Sequence, residues 1–237
     1  MLLLAHRGAS KDAPENTIEA FVEAVRQEAD GVELDAMVCG SGEVVVCHDE
    51  FLDRLARKPW EVRTTSLWKL RTADVGTPLG FKPARIPTLE SVIDALPSDF
   101  LINIELKCER LNDDGLSEKV CALVRRMGIG SRVVISSFNP LCLFRVAASY
   151  PELRRGFLID PDKGFLFQRG VLTPLTSSYS VHPYYAQVSE QLVREWRASG
   201  LEVACWTVDD PVIARSLRDF GVRYCITNRP GALRSAL

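Results

Sequence analysis

Histidine is scarce in this 237-residue chain, which carries three, and none of its seven cysteines falls in a C-x-x-C pair. An odd number of cysteines, several inside apolar runs, argues against a disulfide framework or a structural zinc site and for thiols acting as small hydrophobes. Cys47 abuts His48, but a nucleophilic thiol wants its base across a pocket, so it reads as structural. Charge of one sign is missing too: 29 Lys and Arg stand against 31 Asp and Glu, a net charge of −2. That leaves no electrostatic footprint for nucleic acid and favours a small-molecule partner. Long apolar runs are absent. Met1-Leu2-Leu3-Leu4-Ala5 is cut off by His6-Arg7, short of the roughly 7–15 residues of a signal-peptide core or the ~20 of a membrane span. A cytoplasmic location without stable membrane insertion is expected. No internal repeat, low-complexity segment or signature of oligomeric state occurs.

What is present is a rhythm. Short apolar or alternating runs at Leu2–Ala5, Gly31–Ala36, Leu101–Leu106, Arg132–Ser136, Arg155–Ile159, Tyr179–His182, Glu202–Thr207 and Arg223–Thr227 are each followed by helical spacing. Helices are expected over Pro14–Glu28, Thr88–Leu96, Gly115–Met127, Pro140–Tyr150, weakly near Lys163–Arg169, then Ser189–Ser199, Pro211–Phe220 and a short tail from Pro230. Eight strand–helix repeats in a chain close to the ~250 residues of such folds predict an α/β fold, a (β/α)8 TIM barrel, as a single domain over 1–237. A doubly wound open sheet is the alternative.

One stretch breaks the pattern. Val44-Val45-Val46-Cys47 follows the second strand after only Gly40-Ser41-Gly42-Glu43, too short for a parallel crossover, so a β-hairpin is expected. If Ser41-Gly42 is the turn centre, His48 comes back level with Asp35, and a hairpin above the barrel mouth returns it there. Residues 50–87, rich in Arg, Thr, Pro and Gly, read as a long irregular insertion, a lid or substrate wall.

In Gly31-Val32-Glu33-Leu34-Asp35 the two acids share one strand face. A barrel strand is packed on both sides, and acids are rarely buried unpaired, so a cation is called for. Asn103, Glu105 and Lys107 repeat the alternation on the third barrel strand. Barrel active sites lie at the strands' C-terminal ends, so Glu105 can join Glu33 and Asp35 as a third oxygen ligand. Three carboxylates favour one hard divalent cation, Mg²⁺ or Ca²⁺. His6 and His48 fall at the same mouth and suit general acid and base. Arg7 offers a guanidinium for phosphate, or a salt bridge to Glu33 or Asp35. An anion bridging the cation, Arg7 and Lys107, with proton-transfer groups on either side, is best met by a phosphate ester. Trp206 ends the seventh strand and offers an apolar wall or simply a rim residue. His182 and Ser137-Phe138-Asn139 should reach the mouth by the same logic, His182 with the weaker claim to a direct role.

With these residues placed, the chain resembles the glycerophosphodiester phosphodiesterase family of bacterial cytosolic type. The matching segments are A-H-R-G at 5–8, P-E-N-T at 14–17, V-E-L-D at 32–35, V-V-V-C-H-D at 44–49, I-P-T-L at 86–89, N-I-E-L-K at 103–107, S-S-F at 136–138, W-T-V-D at 206–209 and T-N-R-P at 227–230. The resemblance implies that Glu33, Asp35 and Glu105 bind the divalent ion, and that His6 and His48 serve as acid and base. It further implies that Arg7 and Lys107 contact the phosphate, Asn16 supports the site and Trp206 faces the glycerol. The reaction implied is hydrolysis of a glycerophosphodiester to sn-glycerol 3-phosphate and an alcohol such as choline or ethanolamine. The turn Cys39-Gly40-Ser41-Gly42 departs from the family's usual Thr-x-Asp-Gly, which touches turn chemistry and not catalysis. Rival readings are a phospholipase D or phosphatidylinositol-specific phospholipase C-like barrel acting on intact lipid, and a non-catalytic barrel that senses a phosphodiester.

Overall fold

A computed structural model describes residues 1–108, 112–164 and 169–237. Eight parallel strands close into a barrel: β1 (Leu2–His6), β2 (Gly31–Val38), β4 (Leu101–Leu106), β5 (Val133–Ser137), β6 (Arg154–Ile159), β7 (Ser180–Pro183), β8 (Glu202–Cys205) and β9 (Tyr224–Thr227). Closure is made by β1, which pairs with β9 on one side and β2 on the other. A ninth strand, β3 (Val44–Val46), pairs antiparallel with the end of β2 and lies outside the barrel order. All eight expected barrel strands are present. Of the weak helix expected near Lys163–Arg169, residues 165–168 lie outside the described residues.

The outer faces of the strands and the inner faces of the surrounding helices form the core. Val32, Leu34, Ile102, Ile104 and Ile135 pack with Phe21, Val92 and Val120 on one side of the barrel. On the other side, Leu3, Phe157, Val181 and Val203 pack with Val193, Leu217 and Leu233. All seven cysteines are buried thiols within these apolar clusters or that of the insertion. Among the described residues no helix is long and apolar enough to cross a membrane.

Two local expectations are corrected. The first helix runs Ile18–Arg26, not from Pro14, because Asn16 sits at φ +57° and Thr17 is the cap, its Oγ accepting from Ala20 N at 3.3 Å. The hairpin register differs by one residue: Ala36 faces Val46 and Val38 faces Val44. Three residues, Gly40 to Gly42, span the turn, with Cys39 N donating to Glu43 O at 2.9 Å and Gly42 N to Cys39 O at 2.9 Å. Gly42 at φ +98° takes the left-handed position that such three-residue turns require. Asp35 is therefore level with Cys47, whose N–H donates to Asp35 O at 2.9 Å. The ladder ends at Val46, and the chain bends after it.

The insertion at 50–87 is ordered. It holds the short helices Asp53–Ala56 and Leu67–Leu70 and a small core of Leu52, Leu55, Val62, Leu70, Val75 and Ile86 against Met37 and Val45 of the hairpin.

Candidate active site

Parallel register puts the lumen-facing acids side by side. His6 is paired with Glu33, Glu33 with Asn103, and Asp35 with Glu105, at the strands' C-terminal ends. Carboxylate oxygens of Glu33, Asp35 and Glu105 lie within 4.8 Å of one another. Asp35 is 1% exposed and Glu33 4%. Burial and then the neighbouring carboxylates push Glu33 well above the usual range, and burial raises Glu105 likewise despite Lys107. At Asp35 burial acts in the same sense but is outweighed by Arg7 and Lys107, which hold its carboxyl below the usual range. Three buried carboxylates with hard oxygen donors and a shared repulsion fit a divalent cation, which would favour the ionised form of all three.

Arg7 follows His6 directly, and successive strand residues point to opposite faces. Its φ of +56° turns the chain, so both side chains serve the mouth. Gly8 follows at φ +83°, where a Cβ would meet the Ala20 backbone at 2.6 Å. Arg7 Nη1 donates to Glu15 Oε1 at 2.8 Å, and Nε lies 3.3 Å from Asp35 Oδ2 without hydrogen-bond geometry. The salt bridge to Asp35 weighed from the sequence is thus present. Lys107 Nζ lies 3.0 Å from Glu105 Oε1 and 3.9 Å from Asp35 Oδ1. Asn16 Nδ2 donates to Asp35 Oδ2 at 2.8 Å, the left-handed asparagine reaching under the first loop.

Above the carboxylates opens a cleft lined by His6, Arg7, Glu33, His48, Asn103, Glu105 and Lys107 on one side. Phe138, Leu158, Trp206 and Ile226 form the other. Trp206 is held by its indole N–H donating to His182 O at 2.7 Å and by edge contact with Phe138, ring centroids 5.6 Å apart. The cleft draws no lining residue from 50–87, so that segment is not the wall expected of it.

The two histidines are held differently. His6 Nδ1 is 2.7 Å from Asn228 Oδ1, and Asn228 Nδ2 donates to Asp209 Oδ2 at 2.7 Å. Burial and then the Arg7 cation lower the His6 pKa. His48 Nδ1 is 2.7 Å from Asp49 Oδ1. His6 Nε2 is 4.0 Å from Glu33 Oε2, toward the cleft.

His182 does not reach the mouth. It is 2% exposed, its Nε2 is 2.8 Å from Ser180 Oγ, and it lines a separate cavity lower in the barrel with Leu4, Val134 and Tyr224. Only its carbonyl touches the site, through Trp206. Sequence reasoning passed over Asn228, Asp209, Leu158 and Ile226. The signal for Asn228 was barrel closure: T-N-R-P ends the strand beside β1, with Thr227 paired to Ala5, so Asn228 had to come level with His6.

The sequence profile of the Glycerophosphoryl diester phosphodiesterase family matches residues 6–232. A Caldanaerobacter subterraneus protein named glycerophosphodiester phosphodiesterase is 36% identical over 98% of this chain and 96% of its own length. An Oleispira antarctica phosphodiesterase, solved in complex with the product sn-glycerol-3-phosphate, is similar with a TM-score of 0.89 and 27% identity, covering 100% of this chain and 96% of that one. A glycerophosphodiester phosphodiesterase from Agrobacterium tumefaciens matches with a TM-score of 0.85 and 28% identity over 99% of both chains.

Proposed function

This chain belongs to the glycerophosphoryl diester phosphodiesterase family, and on that footing we propose that it hydrolyses glycerophosphodiesters such as glycerophosphocholine or glycerophosphoethanolamine to sn-glycerol 3-phosphate and an alcohol. It is an enzyme of the phosphoric diester hydrolase class. The observation that carries the substrate is the cleft itself, with acids, two histidines and two cations on one wall and four apolar side chains on the other.

In this reading Glu33, Asp35 and Glu105 hold one divalent cation, Mg²⁺ or Ca²⁺. Such a cation supplies charge neutralisation at the non-bridging phosphoryl oxygens. Arg7 and Lys107 add positive charge to the same oxygens. Arg7 keeps donors to spare after its pairing with Glu15, since a guanidinium carries five N–H groups. His6 and His48 stand at the cleft with Nδ1 engaged behind them, so Nε2 of each is the atom that takes or gives a proton. Trp206, with Phe138, Leu158 and Ile226, shields the carbon part of the substrate and excludes water from that side. Residues 1–237 act as one domain, in the cytoplasm, without nucleic acid.

The test is a panel of glycerophosphodiesters offered to metal-stripped protein with one cation restored at a time, coupled to detection of glycerol 3-phosphate. Product from at least one pair is expected, and none from any pair would defeat the reading. His48→Ala should lower kcat by about 10²–10⁴-fold, as expected for loss of a general acid or base; unchanged turnover would overturn the assignment of that residue.

A further inference from the structure

His6, Arg7, Glu33, Asp35, Glu105 and Lys107 stand on barrel strands or the residue after one, but His48 does not. Its strand ends at Val46, and its last backbone bond to β2 is Cys47 N to Asp35 O; downstream, as far as Glu50, the backbone is held at carbonyls, Asp49 O accepting from Cys47 Sγ at 3.5 Å and Glu50 O from Val62 N at 2.8 Å. A rotatable imidazole on such a bend has two tautomers and several rotamers. Only one combination presents an unprotonated Nε2 to the cleft.

We propose that Asp49 and Arg54 are positioning residues for the reaction, acting through His48 and tied by Glu15 to Arg7. The inference rests on the role given to His48 above. Asp49 Oδ1 lies 2.7 Å from His48 Nδ1, and an ionised carboxylate only accepts, so Nδ1 carries the proton and Nε2 is left to the cleft. Arg54 grips Asp49 from behind, Nε to Oδ2 at 2.7 Å and Nη2 to Oδ1 at 3.1 Å. The other edge of the same guanidinium forks onto Glu15, Nη1 to Oε2 at 2.7 Å and Nη2 to Oε1 at 2.8 Å. Glu15 Oε1 accepts in turn from Arg7 Nη1 at 2.8 Å. The chain of contacts therefore runs from His48 through Asp49, Arg54 and Glu15 to Arg7, joining the two sides of the mouth.

The charges keep this chain ionised. Burial opposes charge on Asp49, yet the hydrogen bonds from His48 and Arg54 hold its carboxyl well below the usual range. Stability is a poor reason for the arrangement, because the Arg54 side chain is 46% exposed and exposed ion pairs contribute little to folding. A planar fork matched to two carboxylates does fix geometry, and lysine lacks that fork. The insertion thus reaches the active site through Arg54 and not by lining the cleft.

The experiment compares Asp49→Ala and Arg54→Gln with wild type in the metal-saturated enzyme, on the glycerophosphodiester that wild type turns over fastest. Asp49→Ala should lower kcat by about 10–100-fold, the usual effect of removing a partner that orients a reactive group, with KM moved far less. Arg54→Gln should lower it in the same sense by a smaller factor and, being half-exposed, will fold. In a His48→Ala background Asp49→Ala should cost nothing further, since both act on one step. Nitrogen-15 spectra of the three imidazoles give a second readout: His48 should be protonated at Nδ1 in wild type and lose that preference in Asp49→Ala. Unchanged kcat in Arg54→Gln and in folded Asp49→Ala, an additive loss on top of His48→Ala, or an unaltered tautomer would overturn the inference. Wild type without turnover would count against the proposed reaction instead, and the imidazole spectra would then decide the positioning on their own.

Discussion

Burial sets Glu33 against its neighbours. Its carboxylate stands within 4.8 Å of those of Asp35 and Glu105, His6 Nε2 is 4.0 Å away, and the Arg7 backbone N–H donates to it at 3.1 Å. Without a cation, like charges so close cost free energy that a neutral isostere would not. Glu33→Gln should therefore stabilise the metal-stripped protein by on the order of 1 kcal/mol, about 2–4 °C for a chain of this size. The same substitution should lower turnover by more than ~100-fold through loss of a ligand. Thermal unfolding after chelation, beside the coupled assay, reads both. A lower melting temperature would mean that the carboxylate stabilises the empty site through its bond to Arg7. Glu33, Asp35, Glu105 and Lys107 were legible because strand alternation assigns faces, and His48 because the turn after the second strand is too short for a parallel crossover. Asn228 was not, since its partner lies 222 positions away and only barrel closure brings them together.

At the scale of elements, strand existence was readable and detail was not. Pro14 suits a first helical turn, but Asn16 is taken by Asp35 and the helix waits for Thr17. The hairpin turn was read one residue short because Ser41-Gly42 mimics a two-residue turn, while the bond from Cys39 N to Glu43 O selects three. His182 faced inward as its strand parity required, yet one layer too low. There β6 yields to it: a Cβ on Gly156 would lie 2.3 Å from His182 Nε2. Gly156→Ala should accordingly destabilise by about 1–3 kcal/mol, the usual cost of overpacking, measured by denaturant midpoint. Burial lowers the His182 pKa from 6.5 to about 3. The unfolded chain then binds this proton first as pH falls, so the stability tied to neutral His182 is complete above about pH 6.5 and is lost down to about pH 3. The slope from this one residue is at most ~1.4 kcal/mol per pH unit. His182→Gln should flatten the acid limb of the stability curve; an unchanged limb would show that His182 is protonated in the fold.

Across the whole molecule, the proposed cation ligands sit on adjacent strands, β2 and β4, that already share a six-residue parallel register. The barrel is closed elsewhere, by β1 against β9 and β2, and its two main apolar clusters surround it on both sides. Metal is therefore not needed to bring the chain together, in contrast to small zinc domains whose binding energy is their folding energy. Binding to the folded state alone adds stability by mass action, about 2.7 kcal/mol at a cation concentration 100 times Kd. For a chain of this length that corresponds to a rise of roughly 5–10 °C. Metal-stripped protein should keep the circular dichroism of the loaded form, with a melting temperature that climbs with the logarithm of added Mg²⁺ or Ca²⁺. Glu105→Gln should blunt that climb while leaving the spectrum unchanged. A stripped protein that unfolds at room temperature would show that repulsion among Glu33, Asp35 and Glu105 outweighs the surrounding core, and the cation would then be a structural requirement as well as a chemical one.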